Sequence, residues 1–148
     1  LGPALHNLGG VLAETGRMDE AEHWFEQCVK TCPSYGSGWT ALAQMKEHKG
    51  KVEEAANAYQ HAVNCDGKDD HALNRVGLML FVMKKYQVAF TWFERALQQR
   101  PGWPGYLYNC GKALEFTGES EKANSFYNQL GKTPVALTAE MIRPDFKG

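Results

Sequence analysis

The sequence has no apolar run approaching the roughly 18 residues that a membrane-crossing helix needs, so membrane insertion is not expected. It has no excess of either charge, with 17 acidic side chains against 16 basic ones. That balance offers no electrostatic footprint for nucleic-acid phosphates or an anionic bilayer. Cysteine is sparse: Cys28, Cys32, Cys65 and Cys110 form no Cys-x-x-Cys, which excludes a disulfide scaffold and makes a reducing, cytoplasmic setting the default. The opening Leu-Gly-Pro-Ala-Leu-His-Asn has neither the charged nor the apolar stretch of a signal peptide, and no targeting segment is visible. It also lacks an initiator Met, as a fragment or a processed chain would. Catalytic signatures are missing too: there is no Gly-x-Ser-x-Gly elbow, P-loop, dinucleotide fingerprint or His-Glu-x-x-His. No enzyme activity, catalytic residue, cofactor or metal is therefore expected.

What the sequence does have is a 34-residue period. Aligned on itself at that shift, it gives gapless blocks at 2–35, 36–69, 70–103 and 104–137. The fourth residue of each block reads Leu5, Trp39, Leu73 and Leu107, and the seventh reads Leu8, Leu42, Val76 and Cys110. The eighth is always small (Gly9, Ala43, Gly77, Gly111), the twentieth is always alanine (Ala21, Ala55, Ala89, Ala123), and the twenty-fourth is always aromatic (Phe25, Tyr59, Phe93, Tyr127). These columns fall at i, i+3, i+4 and i+7 spacing, which puts them on single helix faces. A break at Gly16, Gly50, Lys84 and Gly118 divides each block into two antiparallel helices. Small residues let the paired helices approach, and the aromatic fills the space beside them. Pro3 and Pro104 suit a first helical turn, whereas Pro33 and Pro101 stop the preceding helix.

The pattern resembles the tetratricopeptide repeat over residues 2–137. It departs from that family at Lys46, in place of a bulky eleventh residue, at Leu130, in place of a small one, and at Gly67 and Val135, in place of proline. The resemblance implies an all-α fold, a right-handed α-solenoid of four antiparallel helix pairs, whose first helices line a concave groove. On that reading residues 1–148 are a single domain, with 138–148 a short C-terminal helix, cap or tail. Ends that coincide with repeat boundaries are those of an excerpt from a longer array.

Other motifs have a plainer reading. Gly36-Ser37-Gly38 is a helix start rather than a phosphate turn. The pairs Cys28/Cys32 and His61/Cys65 have the i, i+4 spacing of zinc ligands, but Cys28 occupies a small core position where an inert thiol is expected. The acidic loop 66–70 lacks EF-hand register, and Asp69 or Asp70 is expected to cap the next helix. The doublets Trp24-Phe25, Trp92-Phe93 and Phe126-Tyr127 are core packing rather than base-stacking platforms.

The resemblance implies a scaffold that binds a protein or peptide, commonly an extended peptide or a partner helix. It directs Asn7, Gln44, Asn74, Arg75, Tyr108, Asn109 and Lys112 into the groove as polar contacts. Leu78, Phe81 and Phe116 are the expected apolar anchors, because the first helix of block three is apolar nearly all round. Asparagine both donates and accepts, which suits a ligand backbone. Of the positions that form the family's carboxylate clamp only Arg75 matches, and the asparagine ladder of the peptide-glycosylating members is matched only at Asn7 and Asn109. Arg75→Ala or Asn109→Ala is then expected to weaken binding without lowering the melting temperature. Two rivals remain: a substrate-recruiting arm of a larger enzyme, and self-association through uncapped repeat ends.

Overall fold

The structure, a computed structural model, describes residues 1–131 and 140–142. Among these residues there are eight α-helices and no strand: α1 (Gly2–Glu14), α2 (Met18–Thr31), α3 (Gly36–His48), α4 (Val52–Cys65), α5 (Asp70–Val82), α6 (Tyr86–Gln99), α7 (Pro104–Phe116) and α8 (Ser120–Gln129). They fall into two compact units, Leu1–Gly67 and Lys68–Gly148. Of the expected C-terminal helix, only residues 140–142 lie within the described residues, and these form a turn and bend.

In the first unit α1 packs on α2, α2 on α3 and α3 on α4, with a further contact between α1 and α3. In the second, α5 packs on α6, α6 on α7 and α7 on α8. The alanines at the twentieth place are sealed in all four pairs. In three of the pairs the aromatic of that helix lies against the glycine of its partner. A β-carbon added to Gly77 would come within 2.5 Å of the Phe93 ring, and one on Gly9 as close to Phe25. Side chains larger than hydrogen are excluded there by contact rather than by backbone conformation.

The hairpin turns use the left-handed region, where L side chains are disfavoured by their β-carbon. Gly16, Gly50 and Gly118 take it with φ between 75° and 82°, but Lys84 adopts φ 63° without that freedom. Helix α5 alone has a side-chain cap: Asp69 accepts from the Ala72 amide at 3.1 Å, as its position in the acidic loop suggests.

The twenty-fourth-place aromatics come in two chemistries. Phe25 and Phe93 pack without a polar partner group in their rings. Tyr59 donates its hydroxyl to Glu47 at 2.9 Å, and Tyr127 donates to Glu115 at 2.6 Å. Both acceptors stand at the twelfth place of the paired helix, where the phenylalanine blocks carry Ala13 and Phe81. Burial and then this hydrogen bond push the Tyr127 hydroxyl well above its ordinary pKa, and the same bond holds the Glu115 carboxyl below its own.

Lys46 enters a charge network instead of an apolar contact. Its ammonium lies 2.5 Å from Glu22, with Glu54 at 3.6 Å and Glu26 at 3.7 Å. The other Glu22 oxygen accepts from Lys49, which also reaches Asp19 at 2.8 Å. Burial alone would raise the Glu22 pKa, but the two lysines outweigh it and hold the carboxyl below its ordinary value.

Candidate functional site

The second unit carries the densest polar construction. Helix α5 presents Asn74 and helix α7 presents Asn109, and both side chains are sealed from solvent. The Asn109 amide nitrogen donates to Asn74 Oδ1 at 2.8 Å. Each asparagine also donates to the same main-chain carbonyl, that of Glu140, at 3.0 Å from Asn74 and 2.7 Å from Asn109. Asn109 Oδ1 in turn accepts from the Ile142 amide at 2.8 Å. The two asparagines thus hold the turn and bend at 140–142 by one carbonyl and by the N–H two residues beyond it. Such contacts read main chain and are indifferent to side-chain identity.

Side-chain features surround this backbone grip. Met141 and Ile142 are buried, at 1% and 3% exposure. The Glu140 carboxylate accepts from the Trp103 indole N–H at 2.9 Å. It lies over Gly105, where an added β-carbon would sit 2.8 Å from Glu140 Cδ. Trp103 is flanked by the Arg100 guanidinium, 4.6 Å above its ring. Tyr106, also buried, donates to Asp70 at 2.6 Å, and Arg100 approaches the same Asp70 oxygen at 3.3 Å. Burial and then the Asp70 hydrogen bond push the Tyr106 hydroxyl far up from its ordinary pKa, so it remains a donor at neutral pH.

The residues expected to line a groove are distributed unevenly. Asn74 and Asn109 are brought together. Leu78 and Phe81 are buried at 1% and 2% exposure, and Phe81 packs edge-on against Tyr86 and Phe116 at 4.9 and 5.0 Å. Of the three expected apolar anchors only Phe116, half exposed, presents a face. Lys112 lies 5.6 Å over the Tyr108 ring and 3.3 Å from Glu115, and Arg75 is half-buried on α5. Asn7 and Gln44 are exposed on α1 and α3 of the first unit.

Two tetratricopeptide repeat family models match the sequence, over residues 2–68 and 40–104. The chain belongs to the tetratricopeptide repeat family. Among curated proteins it is 27% identical over 124 residues to the cytochrome c-type biogenesis protein CycH of Bradyrhizobium diazoefficiens, and 23% identical over 128 residues to the general transcriptional corepressor trfA of Dictyostelium discoideum. Those matches cover 81% and 85% of this chain but only 34% and 9% of the relatives, so the chain spans about a third and about a tenth of their lengths. Among solved structures, MamA of AMB-1 superposes with a TM-score of 0.80 at 18% identity, covering 88% of this chain and 71% of MamA. A second MamA crystal structure gives 0.80 at 19% identity, covering 87% and 70%. At such identities the likeness establishes the fold.

In this tetratricopeptide repeat chain the sequence pointed to Asn74 and Asn109 but not to Trp103, Gly105, Tyr106 or the 140–142 segment. The available signal was a glycine on α7 directly after a Trp-Pro start. The zinc-spaced residues have other engagements: His61 stacks on Trp39 with ring centroids 4.1 Å apart, and Cys65 lies 3.4 Å from the Pro33 carbonyl. Cys28 is fully buried and 3.4 Å from the Gly2 carbonyl, and burial raises its thiol pKa. Among the described residues no three His, Cys, Asp or Glu side chains cluster as metal ligands would, and no helix is long and apolar enough to cross a membrane.

Proposed function

We propose that this chain is a non-enzymatic protein-interaction scaffold, and that the α5–α7 face of its second unit captures a peptide by its main chain. The observation that carries this reading is the shared grip of Asn74 and Asn109 on one main-chain carbonyl and one main-chain amide of the 140–142 segment. Family membership supports the scaffold role, since such repeats present helix faces to other proteins. Trp103, Tyr108, Lys112 and the half-exposed Phe116 border the same face and supply side-chain contacts. Arg75 is assigned a peripheral polar role, and Asn7 and Gln44 an equivalent one on the first unit.

The test is selection of a displayed random-peptide library on the full chain, followed by fluorescence-polarisation titration of the enriched peptides. Losing one buried hydrogen bond to the ligand costs about 1–1.5 kcal/mol, so Asn74→Ala should weaken those peptides roughly tenfold. Enriched peptides that bind Asn74→Ala as tightly as wild type, or no enrichment at all, would refute the reading.

A further inference from the structure

Residues 140–142 do more than mark the backbone grip. We infer that they are a tethered pseudo-ligand, and that the external partner of the α5–α7 face is a peptide with the same three-residue chemistry: an acidic residue followed by two bulky apolar ones. This rests on the peptide-capture reading above and adds to it both the ligand's side chains and its competition with the chain's own tail.

Three independent features fix the chemistry. The acidic position is set by Gly105 and Trp103 together. The missing β-carbon leaves the cleft in which the Glu140 side chain lies, and the indole N–H meets its oxygen at 2.9 Å. A neutral donor meeting a carboxylate makes a stronger bond than it makes to an amide oxygen. The two apolar positions are set by burial, since Met141 and Ile142 are sealed as completely as residues of the helix core. The register is set by Asn109: its amide nitrogen donates to Asn74 and to the Glu140 carbonyl, and its oxygen takes the Ile142 amide. A peptide shifted by one residue would present its carbonyl and amide to the wrong sides of this clamp.

Competition follows from connectivity. A segment tethered by a short stretch of chain acts at an effective concentration on the order of 1 mM. A free peptide of the same sequence with an intrinsic dissociation constant near 100 μM would therefore bind the intact chain about tenfold more weakly than a chain whose tail is released. A partner displaces the tail when its flanking residues add contacts that the tail lacks.

The experiment uses the full chain and its Met141→Asp/Ile142→Asp variant, both titrated with a fluorescein-labelled peptide spanning residues 138–143. The expected result is binding to the variant about tenfold tighter than to wild type, and weakened binding when the peptide carries Gln in place of its Glu or Asp in place of its Met. Equal affinities for the two proteins would overturn the tethered occupancy while leaving peptide capture standing. Absence of binding to a folded variant that still takes the library-selected peptides would overturn the ligand chemistry alone. Hydrogen exchange gives an answer even if the variant unfolds. In the free wild-type chain the Ile142 amide should be protected about tenfold, the same ratio that sets the competition, and saturation with a library-selected peptide should abolish that protection. Exchange of the Ile142 amide at the rate of an unstructured chain, or protection that survives saturation, would overturn the inference.

Discussion

Replacing Lys46 by methionine removes one charge from α3 while keeping the length of the side chain, and the surrounding geometry sets the cost. Lys46 is 15% exposed and Glu22 9%, and they meet at 2.5 Å. A hydrogen bond to a charged group in such a setting contributes about 1.5–3 kcal/mol. Lys49 continues to neutralise Glu22, so the penalty of about 3–5 kcal/mol for stranding a buried charge does not apply in full. The methionine thioether and terminal methyl recover up to about 0.8 kcal/mol by burial. The expected loss is then about 1–2 kcal/mol at pH 7, or about 3–6 °C in melting temperature for a chain of this length. It should depend on pH in a definite direction. The folded-state pKa of Glu22 lies below its unfolded value of 4.5, so its contribution is present above pH 4.5 and is lost as pH falls through the folded value. Urea unfolding by circular dichroism at pH 7 and at pH 3 should show the gap between wild type and Lys46→Met closing in acid. Glu22→Met should cost less in the Lys46→Met background than in wild type, because part of what Glu22 contributes is already gone. A Lys46→Met protein as stable as wild type at pH 7, or a gap unchanged in acid, would refute the electrostatic reasoning.

Four further substitutions concern single positions. Lys84→Gly should raise stability by about 0.5–1 kcal/mol in thermal melts, since Lys84 holds φ 63° without the freedom of the three glycines at the equivalent turns. Gly10→Ala should stabilise by about 0.5–1 kcal/mol, because an added β-carbon there meets nothing within 4 Å; Gly77→Ala should destabilise by about 1–2 kcal/mol against the Phe93 ring, with chemical denaturation reading both. Asn109→Ala should lower the melting temperature as well as peptide affinity. It leaves the Ile142 amide and Asn74 Oδ1 without their partner, at about 1–3 kcal/mol for each group that water does not reach; an unchanged melting temperature would show that the groups are hydrated.

That last expectation marks where sequence and structure part. The sequence makes the Asn109 side chain a ligand contact whose removal spares the fold, whereas in the structure it is fully buried and holds the backbone of 140–142. Its burial was illegible because the residues that cover it, Met141 and Ile142, have no periodicity of their own and engage it through main-chain atoms. Ala21, Ala55, Ala89 and Ala123 were legible for the opposite reason: the close approach of paired helices forces one residue type at one spacing, and repetition amplifies the signal. Lys46 is an intermediate case. Its departure from the column was visible, but its partners Glu22, Glu26 and Glu54 come from α2 and α4, and only folding shows that they converge. Leu78 and Phe81 were placed at the groove because α5 is apolar on all sides, and the burial of both shows how such a helix is accommodated.

The two chemistries of the packing aromatic have a consequence for anyone who would rearrange this chain. By position the repeats are interchangeable, since every block carries a small residue at its eighth place and an aromatic at its twenty-fourth. Chemically they are not. Phenylalanine goes with Ala13 or Phe81 across the hairpin, and tyrosine goes with Glu47 or Glu115. Trp24 and Trp92, like Pro33 and Pro101, fall only in the phenylalanine blocks. The side-chain grammar therefore returns every 68 residues, twice the backbone period, and each compact unit contains one block of each kind. A shuffled array cut inside a hairpin would set a tyrosine hydroxyl against a methyl group or a phenyl ring against a carboxylate. Cuts between hairpins keep each aromatic with its partner, and insertion by twos preserves the alternation.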